Sequence, residues 1–329
     1  MKLSKILSGV AITAAVSFAA SASWAADILK FAHVYEVSHP LHTAALAAAE
    51  QIESATDGRV KVEVFPASAL GKEDAINEGL SLGTVDIIYT GAGFAGTSYG
   101  PISITDFPFT LRDLDHWKLY RDSDLFKELA QGYKEATGGN EIVAISYYGS
   151  RHVTANKPIL TPEDMKGLKI RVPNAPAYVL FPKALGANPT PMAFSEVYLG
   201  LQQGVVDAQE NPLTTIQAKK FYEVQSNINL TGHINNSILT VTTSSVLERL
   251  SEEDRSAVVT ALIETAETAG DEIEQAEKEL VAWFEEKNIT VNTVDREPFI
   301  AAVKPALTAG DLPFSPELYG RLQALTGSN

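Results

Sequence analysis

The sequence predicts an α/β protein of about two lobes with a long helix spanning both. Three observations carry this. Strand and helix patterns alternate from Asp27 to Tyr89 in a β-α-β-α-β order, which gives a parallel sheet covered by helices. The chain has 329 residues, more than a single core usually organises. A helical pattern then runs from Ser251 to about Lys287 past Gly270, too long for one compact domain, and would lie across both lobes as a spine.

The elements follow in order. Residues 1–25 are expected to be a signal peptide. Lys2 and Lys5 precede an apolar stretch, Ile6 to Ala20, too short to span a bilayer comfortably, and Ser23-Trp24-Ala25 ends in a cleavage pattern. Export to the periplasm is the expectation, without a lipid anchor because no lipobox cysteine is present. Asp27 to Ala32 reads as a strand, His33 to Pro40 as a loop, and His42 to Thr56 as an alanine-rich helix stopped by Asp57-Gly58. Arg59 to Phe65 alternates valine with charge, a period-2 strand. A helix from Gly71 to Leu82 leads to Val85–Tyr89, an apolar run typical of a buried parallel strand. Thr90 to Gly100 is glycine-rich but not G-x-G-x-x-G, so it is expected to be a flexible loop and not a phosphate cradle.

His116 to Ala136 reads as helical and Glu141 to Tyr148 as a strand, with Arg151 to Asn156 continuing extended. Thr161-Pro162-Glu163-Asp164 is a helix-start signal. Leu168–Val172 is a strand, Ala175–Leu185 a helix, Asn188–Met192 extended, Glu196–Gln203 a helix and Val205–Ala208 a short strand. Asn211-Pro212 opens a helix to Phe221, and Leu230 to Ser245 holds one or two strands. Ser251-Glu252-Glu253-Asp254 starts the long helix, with a capping serine and acids over its first turn. The proline-punctuated remainder is expected to form short helices on the second lobe. Residues 26–148 with 237–276 are assigned to lobe 1, and 149–236 with 277–329 to lobe 2. The chain then crosses near Tyr148 and near Asn236.

Composition narrows the function. There is no cysteine, which removes disulfides, thiolate metal sites and cysteine nucleophiles. The formal charge is -15, and losing Lys2 and Lys5 would take it to -17. Nucleic acid and anionic membranes are therefore disfavoured partners. A bound anion would need local positive charge. Arg151 and Arg171 sit where core strands start or end, positions that suit a guanidinium aimed into a cleft. Its planar fork matches a carboxylate in two parallel hydrogen bonds. As plain structure, Arg171 would be a strand-edge salt bridge to Glu163 or Asp164, Asn211 a helix cap and Phe194 ordinary core. His33, Tyr35 and Tyr89 are candidates from strand-end position alone, since ligands on such sheets bind beyond the carboxyl ends of the strands. His33, His39 and His42 lack a supporting carboxylate cluster, so no metal and no cofactor is expected.

The stretches SRHVTANKPILTPEDMKGLKIRVPNAPA, NPTPMAFSEVYLGLQQGVVDAQENPL and AKKFYEV resemble the DctP-type substrate-binding proteins of TRAP (tripartite ATP-independent periplasmic) transporters, most closely the sialic-acid-binding type. The likeness is dense from Tyr148 to Gln225 and collinear through the first lobe. It implies a two-lobed periplasmic binding protein fold that closes on its ligand, with no enzymatic activity. It implies Arg171 as the carboxylate clamp, Arg151 as a second contact, Asn211 as a hydrogen-bonding partner and Phe194 as a packing surface. Asn174 and Tyr148 lie nearby. Small and large membrane permease subunits would be the partners, and a monomer is expected.

The first lobe departs from the sialic-acid type. Those proteins carry a glutamate where this chain has Thr90-Gly91, and an asparagine where it has His33-Val34-Tyr35. The expected ligand is therefore another small organic acid, such as a uronate or aldonate. Sialic acid, a non-sugar carboxylate, or a sensing role with a membrane receptor are the alternatives. An enzyme is the rival class, but no G-x-S-x-G elbow is present.

Overall fold

The computed structural model describes residues 26–308 and 311–327; the expected signal peptide lies outside the described residues. The first half starts with β1 (Asp27–Ala32), whose period-2 pattern buries Leu29 and Phe31 and exposes Ile28 and Lys30. α1 (Pro40–Ala55) begins two residues before the expected start. His39 caps it by accepting from the Leu41 N–H at 3.2 Å, and proline is tolerated in a first turn that lacks acceptors anyway. β2 (Val60–Phe65), α2 (Glu73–Ser81) and β3 (Ile87–Gly91) follow, with β1 parallel to both neighbours and β3 wholly buried.

The segment expected to be a flexible loop is structured. Thr90 and Gly91 finish β3, α3 (Ala92–Ala95) turns immediately, and a 3-10 helix covers Gly100–Asp106. α4 (Leu114–Arg121) and α5 (Asp124–Thr137) carry the chain to β4 (Asn140–Ala155).

β4 is one strand of 16 residues that joins the expected strand Glu141–Tyr148 to its extended continuation from Arg151. The second half contributes β5 (Lys169–Val172), α6 (Leu180–Ala184), β6 (Asn188–Pro191), α7 (Val197–Gln202), β7 (Ala208–Pro212) and α8 (Leu213–Ala218). Two expectations shift here. The strand predicted at Val205–Ala208 lies later, at Ala208–Pro212, and Pro212 both ends it and caps the expected helix, which stops at Ala218, short of Phe221. The start signal at Thr161 yields a single 3-10 turn, Pro162–Met165.

β8 (Asn227–Thr243) runs antiparallel to β4 from Asn140 opposite Thr243 to Ala155 opposite Asn227. The strand order is β2-β1-β3-β8-β4-β7-β5-β6, so this ribbon is the shared centre of both halves. Register shifts at Ile142/Ala144, Tyr147/Gly149 and Arg151/Val153 twist it. Gly149 sits in the middle with φ +111. A Cβ there would meet Pro212 at 2.7 Å and Glu277 at 2.9 Å.

α9 (Ser244–Arg249) leads to α10 (Glu252–Glu286), the long helix of 35 residues, about 52 Å at 1.5 Å per residue. It packs on α1 and β4, and further along on α8, so it spans both lobes. Ser251 caps its start, and Arg59 pairs with Asp254 in its first turn at 2.8 Å. At the ribbon crossing, Glu277 accepts from the Ser150 N–H at 2.6 Å and the Tyr147 hydroxyl at 2.9 Å. Burial pushes the Glu277 carboxyl up to about 7.

The end of the chain is not all short helices on the second lobe. β9 (Thr290–Thr293) joins β8 in parallel, and α11 (Glu297–Thr308) buries Phe299 and Val303 in a core with Phe181 and Ile170. α12 (Pro316–Gln323) instead sets Leu318 and Leu322 into the first core, with Leu29 and Ile87. Arg321 on it pairs with Glu128 of α5 at 2.5 Å. Its sequence fixes an apolar face but not which surface receives it.

Candidate functional site

The carboxyl ends of β5 and β7, the middle of β4 and the N-terminus of α2 converge on two adjoining cavities. The outer one, about 230 Å³, is lined by Lys72, Glu73, Arg171, Asn174 and Phe194 among others. The inner one, about 30 Å³, shares Glu73, Phe94, Arg171 and Phe194 with it and adds Tyr35, Tyr148, Arg151, Tyr178, Asn211 and Asn236. A space of that inner size holds a water or two, or one small polar group.

The two arginines differ in how they are held. Arg171 lies on β5, 2 % exposed, and donates from Nε and Nη2 to one acceptor, the Met192 carbonyl, at 3.0 and 2.7 Å. It makes no ion pair among the described residues: Glu163 pairs with Lys166, and Asp164 accepts from the Thr161 backbone and hydroxyl. Desolvation without a counter-ion pulls the guanidinium down to about 10. Its Cζ lies 6.0 Å from the Phe194 ring centre.

Arg151, equally buried, is fully engaged. It donates from Nε and Nη2 to the Glu210 carboxylate at 2.5 and 2.8 Å, from Nη1 to Asn236 Oδ1 at 2.8 Å, and from Nη2 to Asn211 Oδ1 at 3.2 Å. Burial disfavours its charge, but Glu210 outweighs that and raises it well above the ordinary value. Burial likewise opposes the Glu210 charge; Arg151 and His233, 3.1 Å away, hold it at about 2. Two free forks were expected; the structure brings one unpaired guanidinium and one neutralised by Glu210, 59 residues later.

Asn211 is oriented from both ends, accepting from Arg151 and donating to Gln209 Oε1 at 2.6 Å. Tyr148 accepts from the Thr215 hydroxyl at 2.6 Å, and His39 Nε2 lies 3.2 Å from that same oxygen. Phe194 meets Phe221 edge-on with ring centres 6.3 Å apart and lines both cavities. Tyr35 lines the inner cavity, but His33 and Tyr89 line neither. They pack behind Tyr35 with ring centres 5.9 and 6.4 Å from it. His33 bonds His42 at 3.2 Å and is pushed down to about 3 by burial and then by His42, while His39 turns away to Thr215.

Sequence reasoning missed Glu73 and Tyr178. Glu73, partly exposed in the first turn of α2, accepts from the Gly91 N–H at 2.7 Å and the Thr90 hydroxyl at 3.2 Å, and burial pushes it up to about 7. Tyr178 donates to Asp106 at 2.6 Å and lies under Arg151, 5.0 Å from guanidinium carbon to ring centre. Asp106 also accepts from Asn236 at 2.7 Å, so Arg151, Asn236, Asp106 and Tyr178 form one chain. Glu73 reads in the sequence as an N-terminal helix acid, and no sequence signal ties it to Thr90 and Gly91 at the end of β3. The cleft rim is bridged twice, by Lys72 to Glu196 at 2.6 Å and by Lys219 to Glu36.

A fully desolvated guanidinium beside an aromatic ring and a carboxyl acceptor can hold a small acid that also carries hydroxyls. Comparisons agree in kind. The family described as bacterial extracellular solute-binding protein, family 7 (DctP) matches residues 31–310. The sialic acid-binding periplasmic protein SiaP of Vibrio cholerae is 33% identical over 98% of this chain and 100% of its own. Among solved structures, a TRAP periplasmic solute binding protein of Roseobacter denitrificans with bound L-galactonate superposes with a TM-score of 0.85 at 35% identity, covering 92% of this chain and 99% of its own. One from Polaromonas bound to D-erythronate gives 0.86 at 32%, covering 92% and 100%.

Proposed function

This chain belongs to the bacterial extracellular solute-binding proteins of family 7, the solute-binding components of TRAP transporters, and we propose that its cleft grips a small sugar acid by the carboxylate, with Arg171 as the clamp. One observation carries this: Arg171 is buried, lacks a carboxylate partner among the described residues, and spends two N–H groups on a single carbonyl. An incoming carboxylate supplies the missing charge where water does not screen it.

In this reading Arg151 contributes one edge to the inner cavity, with Glu210 cancelling its charge, so net attraction centres on Arg171. Asn211 and Tyr148 hydrogen-bond the acid or its neighbouring hydroxyl. Phe194 and Tyr35 pack on the carbon chain, and Asn174 lies at its outer end. Glu73 accepts from hydroxyls further along the ligand. His33 and Tyr89 act indirectly, by fixing Tyr35. The outer volume of about 230 Å³ falls below the roughly 300–1,000 Å³ common for drug-sized ligands, which suits a four- to six-carbon aldonate or uronate and is tight for a nine-carbon sialic acid. D-Erythronate and L-galactonate in the two similar structures fit that class.

Closure then follows from differential affinity: a ligand touching both lobes favours the state in which they meet. We assign residues 26–148 with 237–276 to one lobe and 149–236 with 277–308 to the other, and α12 to the first. The Glu36–Lys219 and Lys72–Glu196 bridges would break as the rim opens and re-form as it closes. The closed protein delivers its ligand to the small and large membrane permeases, as a periplasmic monomer exported by residues 1–25, without turnover. A thermal-shift panel tests the reading. Aldonates or uronates should stabilise the protein, by about 2.7 kcal/mol at a hundred times Kd. Equal stabilisation by galactose and galactonate would reject the carboxylate clamp. A response to N-acetylneuraminate alone would reject the ligand class.

A further inference from the structure

A separate cavity, of about 580 Å³, lies between α11, α12 and the segment Phe109–Arg112, and shares no lining residue with the cleft. We propose that it is a second binding site, for a small molecule with an apolar body and one anionic group. The proposal stands apart from the cleft reading.

The lining matches such a ligand in two respects. Phe109, Leu111, Ile300 and Tyr319 give an apolar, partly aromatic wall. Arg112, Arg296 and Lys304 outnumber Asp295 and Glu297, a local positive excess on a chain of formal charge -15. A floating anion would otherwise be repelled by the protein as a whole.

Arg296 is the anchor. Most arginines here pair with a carboxylate: Arg59, Arg121, Arg151, Arg249 and Arg321 each do. Among the rest, Arg112 and Arg255 are accounted for by carbonyls at helix ends, Gln323 and Leu325 for one, Leu247 and Leu250 for the other. Arg171 and Arg296 remain. Each lines a cavity, each has one carbonyl acceptor, and neither has an ion pair among the described residues. Arg296 donates from Nη2 to the Gly232 carbonyl at 2.8 Å, and its buried Nε has no acceptor at all. Its guanidinium carbon stands 5.7 Å from the centre of the Phe109 ring, so charge and aromatic surface are presented together. Desolvation lowers the guanidinium's proton affinity, as expected for a cation short of a partner.

The walls come from two different cores. Val294 belongs to the core of Phe181 and Phe299, Tyr319 packs on the core of Leu29 and Ile87, and Leu307 touches both. A molecule seated there would lie at a seam between the lobes.

Phenylacetate is the probe, with phenylacetamide as its neutral counterpart. Titration calorimetry should give phenylacetate a Kd of roughly 1 mM or better on the wild-type protein and on Arg171→Ala, and about tenfold weaker binding to Arg296→Gln. Ile300→Trp, which puts a bulkier ring into the apolar wall without touching the charge, should weaken it too. Phenylacetamide should bind about tenfold more weakly. No binding at 10 mM (on the order of ten times that Kd), unchanged affinity in Arg296→Gln, or equal binding of the amide would each overturn the site. Loss in Arg171→Ala would place the probe in the cleft and overturn it as well. Sugar-acid binding should survive Arg296→Gln, so the two readings fail separately.

Discussion

Replacing Arg171 with alanine should abolish useful affinity while leaving the unliganded protein as stable as before. The two effects separate because of how this arginine is held. A buried ion pair broken by deleting one partner costs about 3–5 kcal/mol, since the other charge stays desolvated. For a ligand carboxylate docked in the cleft, that is roughly two to nearly four orders of magnitude in Kd. Without ligand the balance differs. Arg171 has no counter-ion to strand, and a guanidinium pulled down to about 10 already bears on the order of 3 kcal/mol of desolvation cost. Deleting it removes that cost and creates a cavity of comparable cost, so the melting temperature should shift by only a few degrees in either direction. The assay is calorimetry with the best acid from the thermal-shift panel, paired with a melt of the unliganded variant. Affinity within threefold of wild type would refute the clamp. A collapse of unliganded stability would show that Arg171 is structural instead.

Arg151→Ala should do the reverse. It leaves Glu210 buried with only His233 beside it, so urea unfolding should lose about 3–5 kcal/mol; an unchanged midpoint would refute the pairing. Gly149→Ala forces a β-carbon to 2.7 Å from Pro212 at φ +111 and should destabilise by about 2 kcal/mol or more, with a fall of under 0.5 kcal/mol (roughly the scale of a neutral surface change) counting against the close approach. Glu277 keeps its proton up to about 7 when folded, against 4.5 unfolded, so wild-type stability should fall as pH rises through that window. Glu277→Gln should flatten that slope in denaturation midpoints taken between pH 5 and pH 8, and an identical slope in both proteins would exclude Glu277 as a source. Glu73→Ala should weaken a hydroxylated acid more than its deoxy analogue in paired titrations; equal losses would deny it a hydroxyl.

Much of this fold could be read from the chain because period and position agree. The alternation in Arg59–Phe65, the apolar run before Thr90 and the capped start at Ser251 each became the expected element. The long ribbon did not, and β8 shows why. Its middle holds Asn235, Asn236 and Ser237, buried because they serve Leu111, Asp106 and Trp117, and polar residues in sequence read as an interruption. Strand-end position alone did not separate Arg151 from Arg171; only the family resemblance ranked them. Whether a buried arginine already has a partner depends on a residue far along the chain, and Glu210 reaches Arg151 only through the pairing of β4 with β7. Glu73 was hidden by an ordinary role, since an acid in a first helical turn needs no further explanation.

The central ribbon also sets the order in which the molecule can assemble. β3 finds its neighbour in β8, with Ile88 opposite Val241, about 150 residues further along. The sheet of the amino-terminal half therefore stays unfinished until nearly three quarters of the chain has been made, and contacts this distant are slow to form. If residues 1–25 direct export as proposed, that delay helps keep the chain unfolded until it has crossed the membrane. Any rearrangement of the gene that let β3 pair locally would be expected to speed folding and to hinder export.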